Sequence, residues 1–196
     1  MEHGIDIAVR VLGYGGGDED VMRCAFEELC NNRNDRFCAL LNAPDAVTRS
    51  ETVSINAPAS IVWQILTDLP RYNEWNPFCI RAVSTLEMGA PVEMTLINYA
   101  TAGGPTVPNL EYICGFEPER LLSWEFPNLD YWPYPARRDQ VIEATGPASC
   151  TYYSTDAFLG ENGIHVFRFA GPWVKRAFDD TALALKARAE ALHAAA

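Results

Sequence analysis

From residue 49 onward the chain alternates between short runs of period-two hydrophobicity and two stretches of helical periodicity. Glu51 to Asn56 alternates as a strand, and Ala57-Pro58-Ala59-Ser60 opens a helix that carries Ile61, Val62, Ile65, Leu66 and Leu69 on one face. Pro58 stands in the first turn, where its missing N–H costs nothing, and Pro70 ends the helix. The aromatic segment Arg71 to Phe78 predicts a second short helix or turn. Six strand-like runs follow: Ile80–Glu87, Pro91–Tyr99, Leu110–Phe116, Leu121–Phe126, Asp139–Ala144 and Cys150–Phe158. Turn signals at Met88-Gly89, Gly103-Gly104-Pro105, Glu117-Pro118 and Gly146-Pro147 separate them, which predicts an antiparallel meander. From Pro172 to about Ala194 the stripe Val174, Phe178, Ala182, Leu185, Ala189 and Leu192 predicts a long closing helix.

The first 45 residues have a different pattern. Ile5 to Leu12 alternates as a short strand and Gly13-Tyr14-Gly15-Gly16-Gly17 ends it. A helix capped by Asp18 then shows Val21, Cys24, Ala25 and Leu29 on one face, and a second piece carries Phe37, Leu40 and Leu41. The glycine run lacks the Lys-Ser/Thr ending of a phosphate loop, and Asp18-Glu19-Asp20 would repel a phosphate at that helix start. The stripes of residues 1–45 predict an extension packed on a domain spanning 46–196.

Charge narrows the choice of partners. The 196 residues hold 26 acidic and 15 basic side chains, a formal charge of −11 that disfavours nucleic acid. Residues Glu2, His3, Gly4 and Asp6 interrupt any leader pattern, and no apolar run is long enough to span a membrane, so a cytoplasmic location without a membrane span is expected. The six cysteines form no CxxC pair and the three histidines no ligand pair, so neither a metal nor a cofactor is expected.

Specific stretches make a family resemblance. They are Ile55-Asn56-Ala57-Pro58-Ala59-Ser60-Ile61-Val62-Trp63, Tyr72-Asn73-Glu74-Trp75-Asn76-Pro77-Phe78, Leu122-Ser123-Trp124, Phe158-Leu159-Gly160, and Ala184 to Glu190. Over residues 49 to 193 the chain resembles the START-like (SRPBCC) superfamily, in its polyketide cyclase/dehydrase and lipid-transport branch. The resemblance implies an α+β helix-grip fold, with a curved antiparallel sheet wrapped around the C-terminal helix and a deep apolar cavity between them. It implies no catalytic motif, because the superfamily includes cyclases, carriers and chaperone activators.

Strand parity then selects the residues expected to line that cavity. Val92, Met94 and Leu96 bring Asn98 inward; Leu110, Cys114 and Phe116 bring Tyr112 inward; Leu122 and Phe126 bring Trp124 inward. On the last strand Cys150, Tyr152, Ser154, Asp156 and Phe158 share one face. Together with Trp75, Phe78 and Phe178 these predict a wall suited to a flat apolar molecule carrying a few oxygens. His165 is expected at the cavity mouth just before the closing helix, and Arg137-Arg138 on a lid loop after Tyr131-Trp132-Pro133-Tyr134-Pro135, where an arginine would meet a substrate carboxylate. Proton transfer needs a base near an acidic carbon and a donor near the developing enolate. Asp156, Tyr152 and Tyr112 are the catalytic candidates, with Asp139 and Glu93 as further possible bases. Three functions compete: a cofactor-independent cyclase acting on a polyketide-like substrate, a carrier or sensor of an apolar metabolite, and a protein-interaction module. A buried carboxylate inside the cavity favours the first.

Overall fold

A computed structural model describes residues 46–127, 134–160 and 162–195. The expectations for residues 1–45 and for residues 128–133 lie outside the described residues. The elements are β1 (Val47–Arg49), β2 (Val53–Ile55), α1 (Ala59–Thr67), a 3-10 segment (Leu69–Glu74), β3 (Cys79–Val83), β4 (Pro91–Ile97), β5 (Thr106–Glu117), β6 (Leu121–Phe126), β7 (Ala136–Gly146), β8 (Ser149–Phe158) and α2 (Gly163–Ala194). All strands pair antiparallel, in the order β1-β8-β7-β6-β5-β4-β3, with β2 also on β8. This is the predicted meander, with consecutive strands side by side from β3 to β8.

One face of the sheet carries the core. Val62, Ile65 and Leu66 of α1 meet Ile55, Leu122, Ile142 and Tyr152 of the sheet and Ala182, Leu185 and Ala189 of α2. Leu185 and Phe178 are buried, as the helix-grip expectation requires. Burying each contributes about 1.5–3 kcal/mol, which is enough to fix the helix's rotation about its axis.

The chain order also explains how the site end is shaped. Tyr72 donates its hydroxyl to the Leu66 carbonyl at 2.7 Å, tying the 3-10 segment to the end of α1. The Asn76 carboxamide oxygen then accepts the backbone N–H groups of Phe78 (3.0 Å) and Cys79 (2.8 Å). Pro77 leaves no competing donor between them, so the Asn-Pro-Phe triplet turns Phe78 inward. Where β8 leads into α2, Gly160 has φ +74°, and a Cβ on Gly163 would overlap the Phe158 carbonyl.

Besides smaller shifts (the expected strand Glu51–Asn56 shortens to β2 and is preceded by β1, β3 ends at Val83, and β5 begins at Thr106), two differences from the sequence reading bear on the pocket. Helix α2 begins at Gly163, nine residues before the expected Pro172, because the proline sits inside the helix rather than at its first turn. Strand β7 starts at Ala136, not Asp139, which moves Arg137 and Arg138 from the expected loop into the sheet.

Candidate functional site

Between the inner sheet face and the first half of α2 lies a pocket of about 140 Å³. A volume near 150 Å³ accepts benzene in an engineered apolar cavity. The strands contribute Met94 and Leu96 from β4, Asn109 and Glu111 from β5, Trp124 and Phe126 from β6, Arg138 from β7, and Asp156 and Phe158 from β8. Helix α2 closes it with Val166, Ala170, Trp173, Val174 and Phe178, and Phe78 completes the wall beside Phe178, with ring centroids 6.0 Å apart. Among these apolar surfaces, besides the Tyr134 phenol, sit two carboxyls and a guanidinium: Glu111, Asp156 and Arg138.

Register explains why they converge. Trp124 pairs with Arg138, and Arg138 with Asp156, so the three form one row across β6, β7 and β8. Facing residues in neighbouring strands share a sheet face. The carboxyl of Glu111 accepts a 2.6 Å hydrogen bond from the Asn109 carboxamide. Burial, then the Asp156 charge, push the Glu111 pKa up to about 7, against the opposing pull of Asn109 and Arg138. Burial raises Asp156 to about 6, with the Arg138 charge pulling the other way. Arg138 lies over the Phe178 ring, 4.2 Å from its centroid. Two carboxyl groups, both raised by burial toward neutral pH, share the pocket with one guanidinium, an arrangement in which the pair can hold one proton between them.

Five of the candidate site residues line this pocket, Phe78, Met94, Trp124, Asp156 and Phe178, together with Leu96, Phe126 and Phe158 from the same inward faces. Tyr152 shares the inner face but is fully covered, donating its hydroxyl to the Gln140 carboxamide oxygen at 3.3 Å beneath the pocket. Burial raises its pKa above the ordinary phenol value, so it stays protonated. Tyr112 is on the opposite face. A bulge between Ile113 and Gly115 inserts Cys114, so Tyr112 and Phe116 cannot share a side although their numbers have the same parity. Residues 109, 111 and 113 therefore face inward, and Glu111 replaces Tyr112 at the site.

The remaining candidates are elsewhere. Asn98 lies past the end of β4, where its side chain accepts the Ala100 N–H at 2.8 Å and serves the turn. Trp75 packs edge-on against Tyr72 at 5.2 Å, outside the pocket. His165 falls in the first turn of α2 and is exposed, because the helix starts earlier than its sequence suggests. Asp139 is on the outer face, bound by Arg137 Nε at 2.7 Å and by the Ser123 hydroxyl at 2.6 Å, and Glu93 is exposed. Glu111 and Arg138 were missed as wall residues. Extending the parity of Ile142 back through Gln140 would have placed Arg138 inward; the bulge that decides Glu111 leaves no equivalent trace.

Among the described residues no cluster of His, Cys, Asp and Glu has metal-binding geometry, and no helix is long and apolar enough to cross a membrane.

The fold is that of a helix-grip protein, with this pocket between sheet and C-terminal helix. Residues 46–190 match the family model described as polyketide cyclase / dehydrase and lipid transport, and the chain belongs to that family. A search of curated proteins found no match. Similar solved structures include a START superfamily protein from Mycobacterium smegmatis, at 18% identity and TM-score 0.54, covering 74% of this chain and 98% of that one. The Zhui aromatase/cyclase from Streptomyces sp. R1128 matches at 17% identity and TM-score 0.54, over 74% and 94% of the two chains. The di-domain ARO/CYC StfQ from the steffimycin biosynthetic pathway matches at 12% identity and TM-score 0.57, over 91% of this chain and 61% of that one. At these identities the likeness is one of fold.

Proposed function

We propose that the protein is a cofactor-independent cyclase of a polyketide-like substrate, with Asp156 as general base and Glu111 as general acid. The observation that carries this reading is the placement of both carboxyl groups, beside Arg138, in a pocket otherwise walled by aromatic and aliphatic side chains. A pocket built only to carry an apolar molecule gains nothing from three buried ionisable groups, each costly to desolvate. The family and the aromatase/cyclases among the similar structures support the same class of reaction.

The chemistry uses one carboxyl of the pair as base and the other as acid. Asp156, ionised at neutral pH, takes a proton from a methylene flanked by two carbonyls. The resulting carbanion attacks a ketone carbon along the folded chain, forming the C–C bond. Glu111 protonates the new alkoxide and becomes a carboxylate. In the dehydration step that carboxylate removes the remaining α-proton while Asp156 returns its proton to the departing hydroxyl. Water leaves and both groups are restored. Trp124, Phe78 and Phe178 confine the chain in the reactive conformer, and the Arg138 charge favours the developing anion.

Ring closure of synthetic linear poly-β-ketones, followed by absorbance and mass spectrometry, tests this. Asp156→Asn is expected to lower turnover by about 10²–10⁴-fold with binding almost unchanged, because an amide keeps the size but accepts no proton. Trp124→Ala is expected to weaken binding by removing a wall. Binding by the wild type with no turnover on any chain length, or equal small effects of the two changes, would favour a carrier of an apolar metabolite.

A further inference from the structure

Arg138 is 5% exposed, yet its Nε and Nη2 have no hydrogen-bond partner, and none of the ion pairs among the described residues involves it. Ring faces surround it, with Phe178 at 4.2 Å, Trp124 at 5.7 Å and Phe78 at 5.9 Å from the guanidinium carbon, and the Tyr152 hydroxyl and the carboxyls of Asp156 and Glu111 are the polar groups that feel its charge. Ring faces attract the cation but do not accept in-plane N–H groups. Buried charges are ordinarily paired, because an unpaired one keeps the full cost of desolvation. The two donors without partners are not arbitrary. Nε–H and the Nη2–H beside it form one edge of the guanidinium, the side-on fork that receives both oxygens of a carboxylate.

We propose that Arg138 anchors a carboxylate of the ligand, so that the pocket selects an apolar, ring-bearing acid over its neutral counterpart. The proposal rests on the reading of this pocket as the ligand site, and not on the cyclisation itself. The groups around the fork fit such a ligand. Helix α2 contributes only uncharged side chains to the wall, and Phe178 and Trp124 offer faces for a flat ring. The charges that compete with the ligand are those of Glu111 on β5 and Asp156 on β8. Tyr72, Cys79 and Tyr152, the other groups whose shifts register the Arg138 charge, are raised by burial and add no competing charge near neutral pH. Burial pushes Glu111 up to about 7 and Asp156 up to about 6, so mild acid removes the competing charges and leaves the guanidinium unbalanced. Above pH 7 both carboxyls are ionised, and the pocket becomes net negative.

Calorimetric binding of benzoate, cinnamate and 2-naphthoate, each against the alcohol of the same skeleton, tests the anchor. At pH 6 at least one acid is expected to bind tenfold or more tighter than its alcohol. That preference is expected to shrink at pH 8 in the wild type and to persist at pH 8 in Glu111→Gln. Arg138→Gln should abolish the preference. Should that variant fail to fold, Arg138→Lys, which keeps the charge but not the fork, should reduce it. Equal binding of acid and alcohol, no binding of any acid at millimolar concentration, or an unchanged preference in the arginine variants would overturn the proposal. Acid selectivity without ring closure would sink the cyclase reading alone, and ring closure without acid selectivity would sink the anchor alone.

Discussion

Glu111 shows how one side chain links the pocket's chemistry to the stability of the fold. Its folded-state pKa near 7 lies above the ordinary 4.5, so the native state holds a proton that the unfolded chain releases between those values. Stability is therefore fully present below about pH 4.5 and falls as pH rises toward 7. Glu111→Gln removes that loss while keeping an oxygen for the Asn109 donor. At pH 8 it is expected to be more stable than the wild type by about 2 kcal/mol, less than the full shift implies because the carboxyl meets water in the pocket. At pH 4.5 the two proteins should melt together, and thermal denaturation at both pH values checks this. A variant destabilised at pH 8 would mean that the carboxylate is favoured in the fold. The same residue marks the reach of the sequence: its type advertised acid–base chemistry, but its face did not.

At the scale of elements, β5 sets what the site contains. The bulge at Cys114 lets Leu110 and Tyr112 face outward while Ile113 and Phe116 both face the core. Gly115 makes the bulge possible, since a Cβ there would lie 2.8 Å from the Ser123 hydroxyl and 3.0 Å from the Ser123 Cβ. Gly115→Val is thus expected to cost about 1–3 kcal/mol, measurable by urea unfolding, and to disturb the row through Trp124 next to it. An unaffected midpoint would show that β6 gives way freely. The closing helix teaches a related lesson. Its stripe from Val174 to Ala189 was legible because the 3.6-residue period survives burial, whereas its start was not. Proline is common at first turns, and only the packing of Val166 and Ala170 against Phe158 makes Gly163 to Gly171 helical as well.

For the molecule as a whole, both described helices pack on the inner face of the sheet, yet Leu110 and Tyr112 on the outer face are each 4% exposed. Residues 1–45 carry apolar stripes through Val21, Cys24, Leu29, Phe37 and Leu40 that are costly to leave in water. Deleting residues 1–45 is therefore expected to lower Tm by several degrees and to raise binding of a hydrophobic dye. A truncated protein that melts like the full chain would mark the extension as detachable.

The order of strands, the two described helices, the family and half of the pocket wall are written in local patterns: period two, period 3.6, and the prolines and glycines between them. Those signals depend only on near neighbours along the chain, so they can be read without knowing what lies across the sheet. The meeting of Glu111, Arg138 and Asp156 depends on something else. It requires the register of β7 against β8, the start of β7 three residues earlier than its polar residues suggest, and one extra residue in β5 that reverses the facing of half a strand. Each is fixed by which partner offers hydrogen bonds and which face the helix covers. Those terms act between segments far apart in sequence, and they bring the three ionisable side chains into one pocket.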